Sequence, residues 1–470
     1  MKPILFFVLL LCGGSFYAPF KASAQIRWLA DETVRTSAGG AQDVKMGFNN
    51  TQIVAAIGTT RYLTWSRGDS LFLASSQNGA AWSAPTLILR ANAGMNLPTL
   101  AASSDGKLCA GWSDPTGVKT VFSSDGGKTW TVSQTLAPRG SGLCLAAGQN
   151  GTLYALWHSG SDDTPSDMMF ATWQNGAWSS ARAIDAAPTA NAALWGSLCI
   201  VGNTLYAVWR ENTTGQFRIY LTRSQNGGLA WDTPRNIIME DRSGDPSVAA
   251  DSRGNVVVAF QRSQQIYTAT SGDGGATFST SQRIGNGLFA RVIGNESGFF
   301  ALAWERFMGD AKNDEAKQVG FVYSTDYGFT YSRDSAISPM GAKLGLVQFT
   351  GTNEITTSWF NTTSPGTVVA KKAMITRTVG VKAAEAHTFS IFPHPASENT
   401  RVTFTLSKAE RVSLKLYNLL GAEIAHIFDA EMNTGEHTLQ LNTKDVADNT
   451  IFLRLQTPTF SHTQPIQVLR

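Results

Sequence analysis

A short apolar strand that ends in an aromatic residue recurs about every fifty residues along most of this chain. It occurs seven times, as Leu63-Thr64-Trp65, Ala110-Gly111-Trp112, Ala155-Leu156-Trp157, Ala207-Val208-Trp209, Val258-Ala259-Phe260, Leu302-Ala303-Trp304 and Thr357-Ser358-Trp359. Self-similarity at this period is typical of propellers and solenoids, in which each unit buries its apolar face only against its neighbours. The sequence therefore predicts a fold built from seven similar units.

Each unit also contains further short apolar strands separated by polar turns, as in Leu97 to Ala102 before the turn at Asp105-Gly106. In order, a unit is strand, turn, aromatic-ended strand, loop, strand, turn and strand, which is a four-stranded antiparallel meander. The composition agrees, because 43% of the residues are apolar, only 16% are charged, and 44 glycines can supply tight turns. We predict an all-β fold, a seven-bladed β-propeller with a six-bladed ring as the alternative, followed by a small C-terminal β-sandwich.

A polar turn of the form Ser-x-Asp-x-Gly, with Asn in place of Asp in one copy, closes the last hairpin in four of the units. Serine and aspartate oxygens can accept hydrogen bonds from amides that a tight turn leaves unpaired, and glycine tolerates positive φ. The key positions are Ser123, Asp125, Gly127 and Trp130; Ser224, Asn226, Gly228 and Trp231; Ser271, Asp273, Gly275 and Phe278; and Ser324, Asp326, Gly328 and Tyr331. Shortened copies end at Trp82 and Trp178.

These turns resemble the Asp-box, or BNR, repeat of the sialidase-like propellers. The resemblance implies that the box is a folding device on the face of the ring away from the ligand. It therefore predicts architecture much more strongly than function.

The seventh unit, from Leu344 to about Thr378, contains three strands and no Ser-x-Asp turn. An open strand edge invites aggregation, so the ring needs a further strand there. Residues 26 to 36 alternate apolar and polar side chains like the outer strand of the other units. We predict that this N-terminal strand completes the last unit.

The chain begins with the layout of a secretory signal, which is a positive charge at Lys2, an apolar run from Ile4 to Cys12 and small residues before Gln25. Residues 1–24 are therefore predicted to be a signal peptide, and no membrane-spanning segment is expected in the mature chain. The full chain has a formal net charge of +3, and removal of the signal with its two lysines leaves a nearly neutral mature chain. This balance does not predict binding to nucleic acid.

The repeat pattern ends before residue 381, and a different series of alternating strands follows. This series resembles the C-terminal sorting domain of the type IX secretion pathway, with Phe392-Pro393-His394-Pro395, a strand from Val412 and a strand at Ile451. We predict a propeller at 25–380, a linker at 381–387 and a sorting domain at 388–470. The resemblance implies contact with the type IX secretion machinery through residues 388–470. It also implies export through the periplasm to the medium or the outer cell surface.

The residues that follow each recurring aromatic are predicted to share the face opposite the Ser-x-Asp turns, since strand direction alternates along a meander. We expect them to converge on a central pocket, where arginines could pair with ligand carboxylates. The alternative is that they are solvated rim residues or mutual ion pairs. The candidate ligand-binding residues are Arg67, His158, Arg210, Arg262 and Arg306, and the candidate catalytic residues are Asp114, Glu211 and Glu305.

Two classes of function remain open from the sequence. A sialidase would require a tyrosine nucleophile and a Tyr/Phe-Arg-Ile-Pro motif, but the nearest match here, Gln25-Ile26-Arg27-Trp28, lacks the proline. We therefore favour a non-catalytic module that binds a glycan or an extracellular protein. The alternative is a sialidase-like glycoside hydrolase, or a lyase, that uses a front-face carboxylate with an arginine clamp. No cofactor and no metal site are predicted.

Overall fold

The computed structural model describes residues 24–35, 44–45, 53–148, 151–160, 166–185, 192–213, 216–238, 240, 242–296, 298–307, 316–351, 353–361, 367–377, 389–396, 398–406, 408–418, 422–444, 446, 450–457 and 461–468. The predicted signal peptide, apart from Ala24, and the predicted linker lie outside these residues. Across the described segments the regular structure is β-strand, which confirms the all-β prediction. None of these segments forms an apolar helix long enough to cross a lipid bilayer.

The chain divides into two compact units, of which the larger covers Ala24–Thr376. In the described part of this unit the strands form seven antiparallel meanders, numbered here in chain order. Meander 1 contains β2 Val44–Lys45, β3 Val54–Ile57, β4 Thr60–Arg67, β5 Ser70–Gln77 and β6 Thr86–Arg90. Meander 2 contains β7 Asn96–Ala102, β8 Leu108–Asp114, β9 Gly117–Ser123 and β10 Gln134–Ala137. Meander 3 contains β11 Ser141–Ala147, β12 Leu153–His158, β13 Met168–Gln174, β14 Ala177–Trp178 and β15 Arg182–Ala183.

The remaining meanders follow the same order of strands. Meander 4 contains β16 Ala192–Val201, β17 Thr204–Thr213, β18 Gln216–Ser224 and β19 Arg235–Ile238. Meander 5 contains β20 Ser243–Ala250, β21 Val256–Arg262, β22 Gln265–Ser271 and the first part of β23 Gln282–Gly294. Meander 6 contains the second part of β23, β24 Phe300–Phe307, β25 Lys317–Ser324 and β26 Ser335–Ala336. Meander 7 contains β27 Ala342–Gly351, β28 Glu354–Asn361, β29 Thr367–Arg377 and, as its outer strand, β1 Ala24–Arg35.

The first strands of consecutive meanders contact one another in a cyclic order. The contacts run from β3 through β7, β11, β16, β20, β23 and β27, and β27 in turn contacts β3. These first strands are therefore the innermost elements of the unit. The N-terminal strand β1 lies beside β29 at the outer edge of meander 7, where the sequence predicted it.

The recurring aromatic residues anchor the second strands in the spaces between meanders. All seven are at most 1% exposed. Burial of a large aromatic side chain removes much apolar surface from water and stabilises each interface between sheets by about 1.5–3 kcal/mol. The aromatic positions thus mark the core, as the repeat predicted.

A β-bulge interrupts the start of the innermost strand in meanders 2 to 7. In each case the ladder shifts register, and one residue of the bulge has a positive φ. These residues are Leu97, Gly142, Trp195, Asp245, Phe289 and Leu344. The bulges lie at the strand ends that face the residues after each aromatic, so they position backbone amides at that edge.

The second unit contains the described residues from Arg377 onward. Its strands form one sheet of three and one of four strands, which share a single hydrophobic core. The three-stranded sheet contains β30 Phe389–Phe392, β31 Asn399–Leu406 and β34 Gly435–Asn442. The four-stranded sheet contains β32 Glu410–Tyr417, β33 Glu423–Met432, β35 Thr450–Gln456 and β36 Ser461–Gln467.

Candidate functional site

The front face, defined here by the residues that follow each recurring aromatic, is one edge of the meanders. Pairing places these residues opposite the start of the innermost strands, as in Ser141 opposite His158, Leu194 opposite Arg210 and Leu288 opposite Glu305. The equivalent register in successive meanders confirms that these positions are structurally equivalent. Successive side chains of a strand point to opposite faces of the sheet, so the first and the second residue after each aromatic make different contacts.

The first residue after the aromatic reaches the innermost strand of the next meander. Gln261 Oε1 accepts a hydrogen bond from the Phe289 amide at 3.1 Å, and Glu305 Oε2 accepts one from the Leu344 amide at 3.1 Å. Both amides belong to residues in the bulges with positive φ. Arg210 lies 3.9 Å from Asp245, which occupies the equivalent bulge position in meander 5. These side chains therefore fasten each meander to its neighbour.

The second residue after the aromatic contacts its own meander or the loops beside it. Asp114 accepts a hydrogen bond from Trp112 Nε1 at 3.1 Å, and Glu211 accepts the equivalent bond from Trp209 Nε1 at 2.9 Å. These two acids therefore satisfy buried indole N–H groups of the core. Each is thereby engaged in holding the fold.

Two front-face arginines also contact carboxylates. Arg262 lies 3.5 Å from Glu240 and packs over the Tyr267 ring, with 4.4 Å between its guanidinium carbon and the ring centroid. Arg306 donates from Nε to Asp334 at 3.1 Å. Both arginines are half-buried. A ligand carboxylate could replace these protein carboxylates because the guanidinium group has five donors.

Glu305 forms the most buried ion pair of the front face. Its Oε1 lies 2.8 Å from Lys317 Nζ, and only 2% of the residue is exposed. With Oε2 bound to the Leu344 amide, both oxygens of the carboxylate are engaged. The ion pair lies in a nearly dry setting, where loss of either partner is costly.

His158 and Arg67 differ from the other candidates. His158 is fully buried, its Nδ1 lies 3.0 Å from the Gly160 carbonyl, and its ring is 5.6 Å from that of Trp195. This burial does not suit direct contact with a ligand from solvent. Arg67 is half-buried at the end of β4, opposite Val44.

The Ser-x-Asp turns fold as hydrogen-bonded loops at the other ends of the strands. In each turn the serine Oγ accepts from the amide of the glycine four residues later, at 2.8 Å in Ser123–Gly127 and Ser271–Gly275 and 2.9 Å in the other two. The aspartate, or Asn226 in meander 4, accepts from the amide four residues later at 2.8–3.0 Å. The hydrogen bond from the Thr129 hydroxyl, together with the one from the Thr129 amide, holds the pKa of Asp125 well below its usual range.

In three of the four turns, the glycine four residues after the serine approaches the preceding meander closely. A Cβ atom at Gly228 would lie 2.5 Å from the Phe170 ring, and one at Gly328 would lie 2.3 Å from Val257. Both glycines also have positive φ. The turn therefore requires glycine both for its backbone conformation and for its packing.

A set of small polar side chains on the innermost strands was not predicted from the sequence. Thr99, Ser197 and Ser247 accept hydrogen bonds from amides of the next innermost strand at 3.4, 3.4 and 3.1 Å. Cys144 occupies the same position in meander 3, and burial raises the pKa of its thiol. These residues link neighbouring strands that form no shared sheet.

Arg291 takes the corresponding position in meander 6 and is 8% exposed. Its Nη2 lies 3.5 Å from Gln348 Oε1 on the innermost strand of meander 7. Burial lowers the pKa of this guanidinium, an effect that the thiols of Cys144 and Cys199 oppose. A single arginine in an apolar strand gives no sequence signal that distinguishes it from a surface residue.

Comparison with protein families identifies the C-terminal segment. Residues 390–468 match the family model of a secretion system C-terminal sorting domain. The match confirms the predicted sorting domain. The chain carries a sorting signal for type IX secretion, which exports it to the cell surface or the medium. No curated protein matches the sequence of this chain.

Solved structures resemble the larger unit in fold. A polysaccharide lyase is 7% identical, covers 74% of this chain and 99% of its own, and has a TM-score of 0.54. An ulvan lyase, described as the structure of a new polysaccharide lyase family, is 10% identical, with 73% and 95% coverage and a TM-score of 0.53. A sialidase from Trypanosoma rangeli is 10% identical, with 81% and 84% coverage, but its TM-score of 0.44 is too low to indicate a common fold. The lyases therefore establish a propeller-like all-β fold.

Proposed function

We propose that the chain is a secreted or surface-displayed seven-bladed β-propeller that binds glycans or extracellular proteins without catalysing a reaction. The propeller would span residues 25–380, after a signal peptide at 1–24 and before a linker at 381–387. The sorting domain at 388–470 would be a small β-sandwich that engages the type IX secretion machinery. We also propose that the Ser-x-Asp turns are Asp-boxes.

The cyclic contacts of the innermost strands support a ring of seven blades. Each of the seven meanders supplies one such strand, and the last of them contacts the first. Bulge-directed hydrogen bonds join successive meanders, as in Gln261 to Phe289 and Glu305 to Leu344. With β1 in place, meander 7 has four strands and β29 is paired on both sides.

The single observation that carries the non-catalytic proposal is the engagement of all three front-face carboxylates. Asp114 and Glu211 accept from buried indoles, and Glu305 is held by an ion pair and a bulge amide. A general acid or base must exchange protons with a substrate, and these groups would first have to release bonds that hold the fold. Binding requires no such exchange.

The half-buried arginines support an anionic glycan as the ligand. Arg210, Arg262 and Arg306 each keep 20–26% of their side-chain surface accessible. Guanidinium groups can pair with carboxylates or sulfates through two parallel hydrogen bonds. The fold of polysaccharide lyases supports a carbohydrate ligand, and it also makes a lyase the second candidate function.

A paired binding and melting experiment tests this assignment. Arg262→Ala should weaken binding of an anionic polysaccharide about ten- to hundred-fold, since a charge-assisted contact contributes roughly 1.5–3 kcal/mol. Asp273→Ala removes two hydrogen bonds to Thr277 in a Ser-x-Asp turn and should lower the melting temperature with little change in affinity. Isothermal titration with polygalacturonate, alginate and ulvan, beside calorimetric melting, measures both quantities.

Equal losses of affinity in the two variants would show that the face assignment is wrong. Release of unsaturated sugar products from the same polysaccharides, followed by absorbance near the ultraviolet band of the new double bond, would establish the lyase instead. Failure of all three polysaccharides to bind would overturn the proposal of an anionic glycan.

Truncation of the C-terminal unit should abolish export without unfolding the larger unit. The two units have separate hydrophobic cores, and the sorting domain lies wholly in the second. We expect a chain that ends at Val381 to remain in the periplasm of a type IX-competent cell and to melt as a single cooperative transition. Cell fractionation and calorimetry check this result. An insoluble truncated chain beside a soluble full-length chain would show that the units depend on each other.

A further inference from the structure

The third meander differs from meanders 2 and 4 at the turn that faces away from the front. In meander 3 the Ser-x-Asp loop is replaced by a two-residue turn, Asn175-Gly176, in which both residues have positive φ. This is the sequence pair that a type I′ hairpin turn prefers. The short hairpin does not fill the space beside meander 4, which retains the full loop at Ser224–Gly228.

Two cavities between meanders 3 and 4 share Arg182, one beside this turn and one nearer the front edge. One has a volume of about 730 Å³ and is lined by Trp178, Asn175 and Leu229 among other residues. The second has a volume of about 420 Å³ and is lined by Asp185 and Trp231 among others. Both volumes fall in the range of roughly 300–1,000 Å³ that is usual for small-molecule sites. We call the two cavities together the 3/4 cleft.

Two buried polar atoms line the smaller cavity without a partner among the described residues. One is a hydrogen-bond acceptor, Asp185 Oδ1, and the other is a donor, Trp231 Nε1. Buried polar atoms in folded proteins are nearly always paired, so each of these atoms requires a group that the described chain does not supply. A hydroxyl group can both donate to the carboxylate and accept from the indole.

The walls of the 3/4 cleft are held rigidly. Arg182 donates from Nη1 to the Leu229 carbonyl at 2.8 Å and lies over the Phe170 ring. Trp178 donates from Nε1 to Thr120 Oγ1 at 3.0 Å and packs edge-on against Trp173. A fixed aromatic side chain beside hydrogen-bonding amides suits a sugar, which has apolar C–H faces and hydroxyl edges.

Carboxylates outnumber the guanidinium of Arg182 around the smaller cavity, which disfavours an anionic ligand. Burial, with smaller contributions from the carboxylates of Asp167 and Glu211, raises the pKa of Asp185 to about 6. Another negative charge would be repelled here. We propose that the 3/4 cleft is a second binding site, for neutral oligosaccharides, anchored by Asp185 and Trp231 and distinct from the arginine-bearing front face.

The test measures binding of neutral polysaccharides to full-length variants. Affinity electrophoresis in gels that contain xylan, mannan, laminarin or dextran identifies a ligand, and titration with its oligosaccharides gives the affinity. Asp185→Ala should weaken this binding at least ten-fold. Because burial disfavours the charged form of Asp185, removal of the carboxylate should not lower the melting temperature at neutral pH.

A matched pair of surface variants separates the cleft from general surface effects. Leu229 is 78% exposed and lines the cleft, whereas Val132 is 88% exposed and lies in meander 2 after its Ser-x-Asp turn. Leu229→Asp should reduce neutral-saccharide binding, and Val132→Asp should leave it unchanged. Arg262→Ala should also leave it unchanged, so this result is independent of anionic binding at the front face.

Three outcomes would overturn the proposal. The first is the absence of binding to all four neutral polysaccharides at millimolar oligosaccharide. The second is binding that Asp185→Ala and Leu229→Asp leave intact, which would leave only water in the cleft. The third is binding that Arg262→Ala abolishes, which would place the neutral ligand on the front face instead.

Discussion

Deletion of residues 25–36 is expected to make the protein aggregate. The strand β1 forms the outer edge of meander 7, so its removal exposes the full hydrogen-bonding edge of β29. An exposed edge of this length is a template for pairing with other chains. We expect the truncated protein to be insoluble, or to lose on the order of 5 kcal/mol or more of unfolding free energy.

The strand contributes to three meanders at once. Trp28 packs edge-on against Phe321 of meander 6 with 4.9 Å between ring centroids, and Val34 is buried in the core beside meander 1. Glu32 lies 2.9 Å from Arg61 of meander 1 and accepts from Trp82 Nε1 at 2.7 Å. Since Arg61 is only 2% exposed, loss of Glu32 leaves a buried guanidinium without this carboxylate.

Two single substitutions separate the contribution of the Glu32 carboxylate from that of the whole strand β1. Glu32→Ala should cost about 3–5 kcal/mol through the buried charge of Arg61. Asp31→Ala removes an exposed carboxylate 2.9 Å from Lys371 and should cost about 1 kcal/mol or less. Urea unfolding and light scattering measure the two effects. A soluble, cooperatively folding protein after deletion of residues 25–36 would show that β1 is dispensable for closure.

The role of β1 could be predicted from the sequence because the missing element was visible. The seventh unit has three apolar strands where the others have four, and the alternating residues before the first repeat supply the fourth. A missing strand of this kind can be recognised from the repeat pattern and the order of the strands along the chain. The aromatic anchors were predictable for the same reason, since a buried tryptophan at the same place in each unit leaves a periodic signal.

The contacts between meanders could not be predicted in this way. The bulge residues include Leu97, Trp195, Asp245 and Phe289, which share no chemical type, and only Gly142 carries the residue expected at positive φ. The hydroxyls that join the innermost strands belong to ordinary serines and threonines. Their role depends on which innermost strand lies beside them, and a single sequence does not show which strands are neighbours.

The front-face residues show the same limit. Their position at one edge followed from strand alternation, but their partners did not. Asp245, which faces Arg210, and Asp334, which faces Arg306, lie in segments that carried no motif. A charged residue at the end of a strand reads the same in sequence whether it faces solvent, a ligand or an opposite charge. The ion pairs of Arg210 and Arg306 with these two aspartates are therefore visible only in the structure.

The largest effect of a single substitution on the front face is expected at Glu305. Glu305→Ala leaves Lys317 without the carboxylate at 2.8 Å and the Leu344 amide without its acceptor, in a region that is almost fully buried. Removal of one member of such a pair should cost about 3–5 kcal/mol. In contrast, Asp232→Ala breaks a more exposed ion pair with Arg223 and should cost about 1 kcal/mol or less.

Two further variants distinguish a structural role of Glu305 from a catalytic one. The double variant Glu305→Gln with Lys317→Met removes both charges and keeps an acceptor for the Leu344 amide, so most of the lost stability should return. Chemical denaturation measures each free energy, and product release from polysaccharides measures activity in parallel. A loss of less than 1 kcal/mol in Glu305→Ala would contradict the structural role. If Glu305→Gln instead abolished a measurable activity while the melting temperature stayed constant, the carboxylate would be catalytic and the non-catalytic proposal would fail.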